Sequence, residues 1–138
     1  VRPSGVHGLG VFARRPIPAG KELGSYPGVP RAPAAMAAKA QRAPSAGDYC
    51  FVTDGGVPLD PTDSEGELSA WPEGSLWPLP DDVTLARVNE PPPGRGVNAE
   101  PVTMPHSRRV VFVAIRDVAA GEELFIDYGP NFSRAGYG

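Results

Sequence analysis

The chain has 138 residues and a formal net charge of −3, the length of one ordinary domain able to build a core without metal or disulfide support, and without the broad basic face that drives direct nucleic-acid binding. Its single cysteine, Cys50, excludes an internal disulfide, His7 and His106 lack metal-ligand spacing, and no apolar run nears the roughly 20 residues that span a bilayer. With no signal-peptide pattern at its start the chain reads as soluble, reduced and intracellular, and its 18 prolines and 17 glycines beside 41% hydrophobic residues predict an ordered domain with long, turn-rich connections.

Gly8-Leu9-Gly10 opens a glycine-rich approach to the strand pair Val11-Phe12. Alone it signals little more than a chain reversal, and it lacks the strand and helix that flank a dinucleotide fingerprint. Next comes an internal echo. Ala13-Arg-Arg-Pro-Ile-Pro-Ala-Gly-Lys-Glu-Leu23 matches Ala114-Ile-Arg-Asp-Val-Ala-Ala-Gly-Glu-Glu-Leu124 at six of eleven positions, 101 residues apart. Both copies read as strand, Ala-Gly turn, strand, one local corner used twice. Glu122 and Glu123 read as solvated residues of the second corner.

The alanine-rich run from Ala32 to Ala43, bracketed by Pro33 and Pro44, predicts a short helix. Asp48-Tyr-Cys-Phe-Val52 reads as a strand ended by the turn Asp54-Gly-Gly56. The stretch from Pro58 to Pro80 is turn-forming and acidic, with Trp71 and Trp77 as candidate anchors that pack a loop, and its acidic part, Asp60 to Glu73, could welcome a basic peptide. Val83 to Val88 can cross the interior before the polar, proline-rich loop Asn89 to Asn98, whose asparagines suit the hydrogen-bonding needs of a buried loop. Arg109 to Arg116 is the strongest strand, leading into the second corner and Leu124-Phe-Ile-Asp-Tyr-Gly129.

Taken in order, Gly8-Leu-Gly-Val-Phe-Ala13, Tyr49, Asn89 in a loop, and Gly121-Glu-Glu-Leu-Phe-Ile-Asp-Tyr-Gly129 resemble the SET-domain family, from about Gly5 to Gly129. The resemblance implies a mostly β fold of small sheets with a C-terminal pseudoknot and one or two short helices, as a single domain over residues 1–138. It implies an S-adenosylmethionine-dependent methyltransferase acting on a lysine ε-amine of a protein or peptide, a histone tail being one candidate, with a nuclear location. Gly8, Leu9, Gly10, Asn89, Glu90 and Tyr128 would then surround the cofactor. Tyr128 and Tyr49 would be catalytic, and Tyr26, Tyr49, Ile126 and Phe132 would line the lysine channel, with Phe132 or Tyr137 as the aromatic part of any lid.

Such chemistry suits tyrosines. A lysine amine has a pKa of about 10.4 in water and attacks only when neutral, so a partly apolar channel helps it shed its proton. Methyl transfer needs alignment more than acid or base work, and a phenol hydroxyl can orient the nitrogen while aromatic faces accommodate a sulfonium. Without the motif, Tyr128 reads as a buried tyrosine of a terminal strand and Tyr49 as core.

The chain departs from the family's Asn-His-Ser pattern with Asn89-Glu90-Pro91, Asn98 stands where a second asparagine would staple the knot, and Ile126 replaces the usual Phe or Tyr. Residues 130–138 hold no cysteine-rich zinc segment. These departures keep an alternative open, a catalytically silent SET-like module for protein interaction; a further one is an accidental likeness in a proline-rich β domain.

Overall fold

The computed structural model describes residues 1–6, 8–76, 84–104 and 109–129. These fall into two compact units.

The first unit comprises Val1–Gly24, Arg87–Val102 and the described residues from Val111 onward. The strands β1 (Arg2–Pro3) and β2 (Leu9–Gly10) pair antiparallel, Arg2 opposite Gly10 and Pro3 opposite Leu9. A three-stranded sheet built almost wholly from this unit has the order β3 (Glu22–Ser25), β8 (Val110–Ala114), β7 (Ala99–Thr103). The central strand is the most apolar, and Val110 and Phe112 on it are fully buried.

The two copies of the internal echo are partners. Ile17 and Val118, equivalent positions of the repeat, form an antiparallel bridge in which each amide donates to the other's carbonyl at 2.8 Å. The glycines are equivalent too. The Gly20 amide donates to the Ala114 carbonyl at 2.7 Å, and the Gly121 amide to the Ala13 carbonyl at 2.8 Å. Both turns need glycine, at φ 85° and 84°, a conformation that costs a residue with Cβ. Repetition in sequence has thus become local two-fold pairing in space.

After the second corner, the Leu124 amide donates to Val11, the Phe125 carbonyl accepts from the Asn98 and Ala99 amides, and the Ile126 amide donates to Asn89, at 2.7–3.2 Å. The terminal segment is therefore bonded to three separate stretches of chain, as a pseudoknot requires. Asn98 is completely buried; its Oδ1 accepts from the Phe125 amide and its Nδ2 donates to the Glu123 carbonyl, both at 2.8 Å.

The second unit comprises the described residues of Ser25–Ala86 and Thr103–Val110. Its sheet is antiparallel in the order β4 (Val29–Pro30), β6 (Pro58–Asp60), β5 (Phe51–Val52), with Leu59 opposite both Pro30 and Phe51. Helix α1 (Pro33–Arg42) starts on a proline at its first position. It stops because Pro44 disfavours helical backbone at Ala43, which lies at φ −139°, ψ 80°. Pro44 then begins a second helix, α2 (Pro44–Tyr49).

That second helix corrects the reading of Asp48 to Val52 as one strand: a helix already nucleated at Pro44 extends cheaply through Tyr49, and only Phe51 and Val52 pair as strand. Thr84–Arg87 forms a 3-10 turn rather than a strand crossing the interior. Val88 is buried whereas 84–87 are only half-buried, so the run offers a sheet no apolar face and satisfies its backbone locally. Trp71 is no anchor; it is 56% exposed, and its indole N–H donates to the Ser75 carbonyl within its own turn. Trp77 and Val83 lie outside the described residues.

The two ends of the acidic stretch, Asp60 and Glu73, are paired from within. Asp60, fully buried, accepts from Lys39 Nζ at 2.7 Å and from Arg31 Nε at 2.6 Å through one oxygen, and from the Thr62 amide and hydroxyl through the other. Lys39 also meets Glu73 at 3.2 Å, which is shared with Arg42. Burial alone would push the Asp60 carboxyl up, but the bonds from Lys39, Thr62 and Arg31 outweigh it and hold the group below the usual carboxylate range. In the first unit Glu122, bonded to Arg116 and to the Ala119 amide, is held down to about 2.

Asp60→Asn should lower unfolding free energy by about 3–5 kcal/mol in urea titrations, because Lys39 and Arg31 lose their buried counter-charge, whereas Arg42→Ala on the exposed rim should cost under about 1 kcal/mol. Carboxylates depressed in the folded state stabilise it above their unfolded pKa of about 4 and stop doing so as pH falls through the folded value. Melting temperature should therefore drop between pH of about 4 and about 2, and Glu122→Gln should remove part of that slope.

Candidate active site

One cluster assembles in the first unit around the glycine-rich approach. Gly8 takes φ 48°, with open space where a Cβ would stand, and its carbonyl accepts from the Ser4 amide at 2.8 Å. Asn89 is buried, and its Nδ2 donates to the Leu9 carbonyl at 3.2 Å and to Glu123 Oε1 at 3.1 Å. The other carboxylate oxygen of Glu123 accepts from the Ser4 hydroxyl at 3.0 Å. A Cβ on Gly10 would collide with that carboxylate. The glycine thus creates the space that Glu123 fills, and the bridge between Phe12 and Glu123 sets its place.

Glu123 therefore corrects the reading of both corner glutamates as solvated. It is 8% exposed and ties Ser4 and Asn89 together, while Glu122 is half-buried and paired with Arg116. Strand alternation was the available signal: in Glu122-Glu123 one side chain must face inward.

Tyr128 belongs to the same unit. Its hydroxyl donates to the Val88 carbonyl at 2.8 Å and its amide donates to Glu90 Oε1 at 2.9 Å. Asp127 braces the chain beyond by accepting from the Gly129 amide at 2.7 Å. Ile126, 2% exposed, is packed inside, with its amide on the Asn89 carbonyl. Hydrogen bonds thus join Asn89 to Leu9 and to Ile126, and Glu90 to Tyr128, with Gly8 and Gly10 flanking Leu9.

Tyr26 and Tyr49 come together in the second unit, where the Tyr26 hydroxyl donates to the Tyr49 carbonyl and its ring packs against Phe51 at 5.2 Å between centroids. Burial, then Cys50, Asp60 and Tyr49 nearby, push the Tyr26 phenol far above its ordinary range. Burial likewise pushes the Cys50 thiol up to about 11, so at neutral pH it is protonated and a weak nucleophile. Phe132 and Tyr137 lie outside the described residues. Among the described residues no helix is long and apolar enough to cross a membrane, and no cluster of His, Cys, Asp and Glu could hold a metal.

Small sheets, a terminal segment bonded to three stretches of chain and a tyrosine tied to Val88 and Glu90 define the class to which this domain should be compared. The SET domain family model matches residues 8–129, and the chain belongs to the SET-domain family. Among solved structures it is similar to the Chaetomium thermophilum polycomb repressive complex 2, with TM-score 0.63 and 26% identity over 95% of this chain and 15% of that one. It is also similar to ctPRC2 in an autoinhibited conformation bound to S-adenosylmethionine, with TM-score 0.65 and 26% identity over 95% of this chain and 15% of that one. The methyltransferase domain of human PR domain-containing protein 2 shares the fold, with TM-score 0.56 and 22% identity over 95% of this chain and 76% of that one. The chain thus spans about 15% of the length of the complex chains it matches, and no curated protein matches it.

Gly10→Ala should destabilise the domain by about 1–3 kcal/mol through overpacking against Glu123. The double variant Gly10→Ala with Glu123→Ala should lose less than the two single losses combined, because removing the carboxylate makes the room the methyl group needs; urea titration of the four proteins measures both.

Proposed function

We propose that this domain methylates the ε-amine of a lysine presented by a protein or peptide, using S-adenosylmethionine. The supporting observation is the clamped Tyr128, held at its hydroxyl by Val88 and at its amide by Glu90, in the same unit as the Gly8 to Gly10 loop. When bound, S-adenosylmethionine supplies an electrophilic methyl group on a sulfonium.

The chain's residues fit such a group. Gly8 leaves open space beside an accessible backbone, and Leu9 and Gly10 are held in strand geometry by Asn89 and by β1. Backbone groups of Gly8, Leu9, Gly10 and the Asn89-Glu90 segment would hold the cofactor. The Asn89 side chain acts by fixing Leu9, since its amide group is directed to Leu9 and Glu123. The Tyr128 hydroxyl, oriented by its bond to Val88, would accept from the substrate amine and align its lone pair. Ile126 is assigned to the lysine channel, where apolar walls favour the neutral amine.

Histone tails are the first substrates to try, and a nuclear location would go with that choice. With Asp60 and Glu73 already paired to Lys39, Arg31 and Arg42, attraction of a basic peptide falls to Asp63, Glu65 and Glu67.

Titration calorimetry should detect S-adenosylmethionine binding to the purified domain, and Tyr128→Phe should lower methyl transfer to a peptide by about 100-fold, the scale of a lost alignment, while leaving cofactor affinity within a small factor. Unaltered transfer by Tyr128→Phe would refute the role given to Tyr128; absence of cofactor binding by the folded domain would favour a silent, protein-binding module.

A further inference from the structure

Residues 88–90 meet residues 126–128 at three points. The Asn89 carbonyl accepts from the Ile126 amide at 3.0 Å, within an isolated parallel bridge between Asn89 and Phe125. The Val88 carbonyl accepts from the Tyr128 hydroxyl at 2.8 Å, and Glu90 Oε1 accepts from the Tyr128 amide at 2.9 Å. Two of these acceptors are backbone carbonyls that any sequence supplies. The third depends on the side chain at position 90.

The reason lies in the next residue. A parallel ladder continued past the bridge would carry the residue 91 N–H to the Ile126 carbonyl and the Tyr128 amide to the residue 91 carbonyl; Pro91 has no N–H for the first of these bonds, and with two further prolines after it no second bridge forms. The ladder ends after one bridge, and the Tyr128 amide, half-buried one rung further on, needs another acceptor. The Glu90 carboxylate is that acceptor, and a charged acceptor makes the stronger bond.

We infer that Glu90 is a positioning residue for Tyr128: its carboxylate replaces the missing rung and fixes the main chain at 128, so that the phenol is tied at both ends, by Glu90 through the backbone and by Val88 through the hydroxyl. The inference rests on the reading of Tyr128 as the residue that aligns the amine. It assigns the residue that departs from the family's Asn-His-Ser pattern a part in holding the catalytic geometry, in place of a side-chain contact to the cofactor.

The test compares the whole chain with Glu90→Ala and Glu90→Gln by three readouts: hydrogen exchange of the Tyr128 amide by nuclear magnetic resonance, S-adenosylmethionine affinity by calorimetry, and steady-state methyl transfer. In Glu90→Ala the Tyr128 amide should exchange about tenfold faster or more, as expected when a bond of more than about 1.4 kcal/mol is lost, with other core amides unchanged. Its kcat should fall by about 10- to 100-fold, the scale of a small misplacement, with cofactor affinity within about twofold. Glu90→Gln, which keeps an uncharged acceptor oxygen, should recover part of both losses.

Unchanged Tyr128 exchange in Glu90→Ala would overturn the inference, and so would faster exchange with kcat intact. Loss of cofactor affinity at constant kcat would assign Glu90 to the cofactor instead. If the unmodified chain methylates nothing offered to it, the proposed function fails separately. Tyr128 exchange, with ring contacts between Tyr128 and Val88 in the three proteins, then still decides whether Glu90 holds Tyr128.

Discussion

Residues 124–128 carry backbone polar groups that the adjacent turn does not satisfy, and leaving a buried one unpaired costs about 1–3 kcal/mol. Their partners come from far along the chain. Val11 takes the Leu124 amide, the Asn98 side chain takes Phe125, the Asn89 carbonyl takes Ile126 and the Glu90 carboxylate takes Tyr128. The first unit is arranged around this need. Asn98 is fully buried because it serves both Phe125 and Glu123, and the proline-rich loop between Asn89 and Asn98 has the length to put one asparagine at each end of the threaded segment.

Each unit also contains a buried carboxylate, and the two are stabilised differently. Asp60 lies against Lys39 and Arg31, full opposite charges that more than offset the cost of its burial and fasten helix α1 to strand β6. Glu123 is held by the neutral donors of Ser4 and Asn89, and its space is the volume left by the absent side chain of Gly10. The first arrangement braces a small sheet and helix. The second connects the N-terminal hairpin, the glycine-rich approach and the loop at Asn89 through one glutamate.

Two of the tyrosines are restrained by hydrogen bonds to the main chain. Tyr128 is bonded through its hydroxyl and its amide. The Tyr26 phenol, with its proton bound far more tightly than usual, is directed to the Tyr49 carbonyl. Both hydroxyls donate to backbone carbonyls, which fixes their direction.

Much of this was legible in the sequence. The helix from Pro33 needed only alanines and bracketing prolines, the β8 strand only its run of Val and Phe, and the family only the glycine-rich approach and the segment ending at Tyr128. The repeated Ala-Gly corner was visible as well, but its consequence was not: nothing local states that two turns 101 residues apart pair with each other. The same holds for Glu123, whose burial follows from a bridge to Phe12 and a space beside Gly10, and for Glu90, whose partner lies 38 residues away. Local propensity and motif spacing determined most of the elements and the family. Which side chains faced inward, and which amides lacked a carbonyl, was decided when distant segments met, because burial and hydrogen-bond satisfaction belong to the assembled chain.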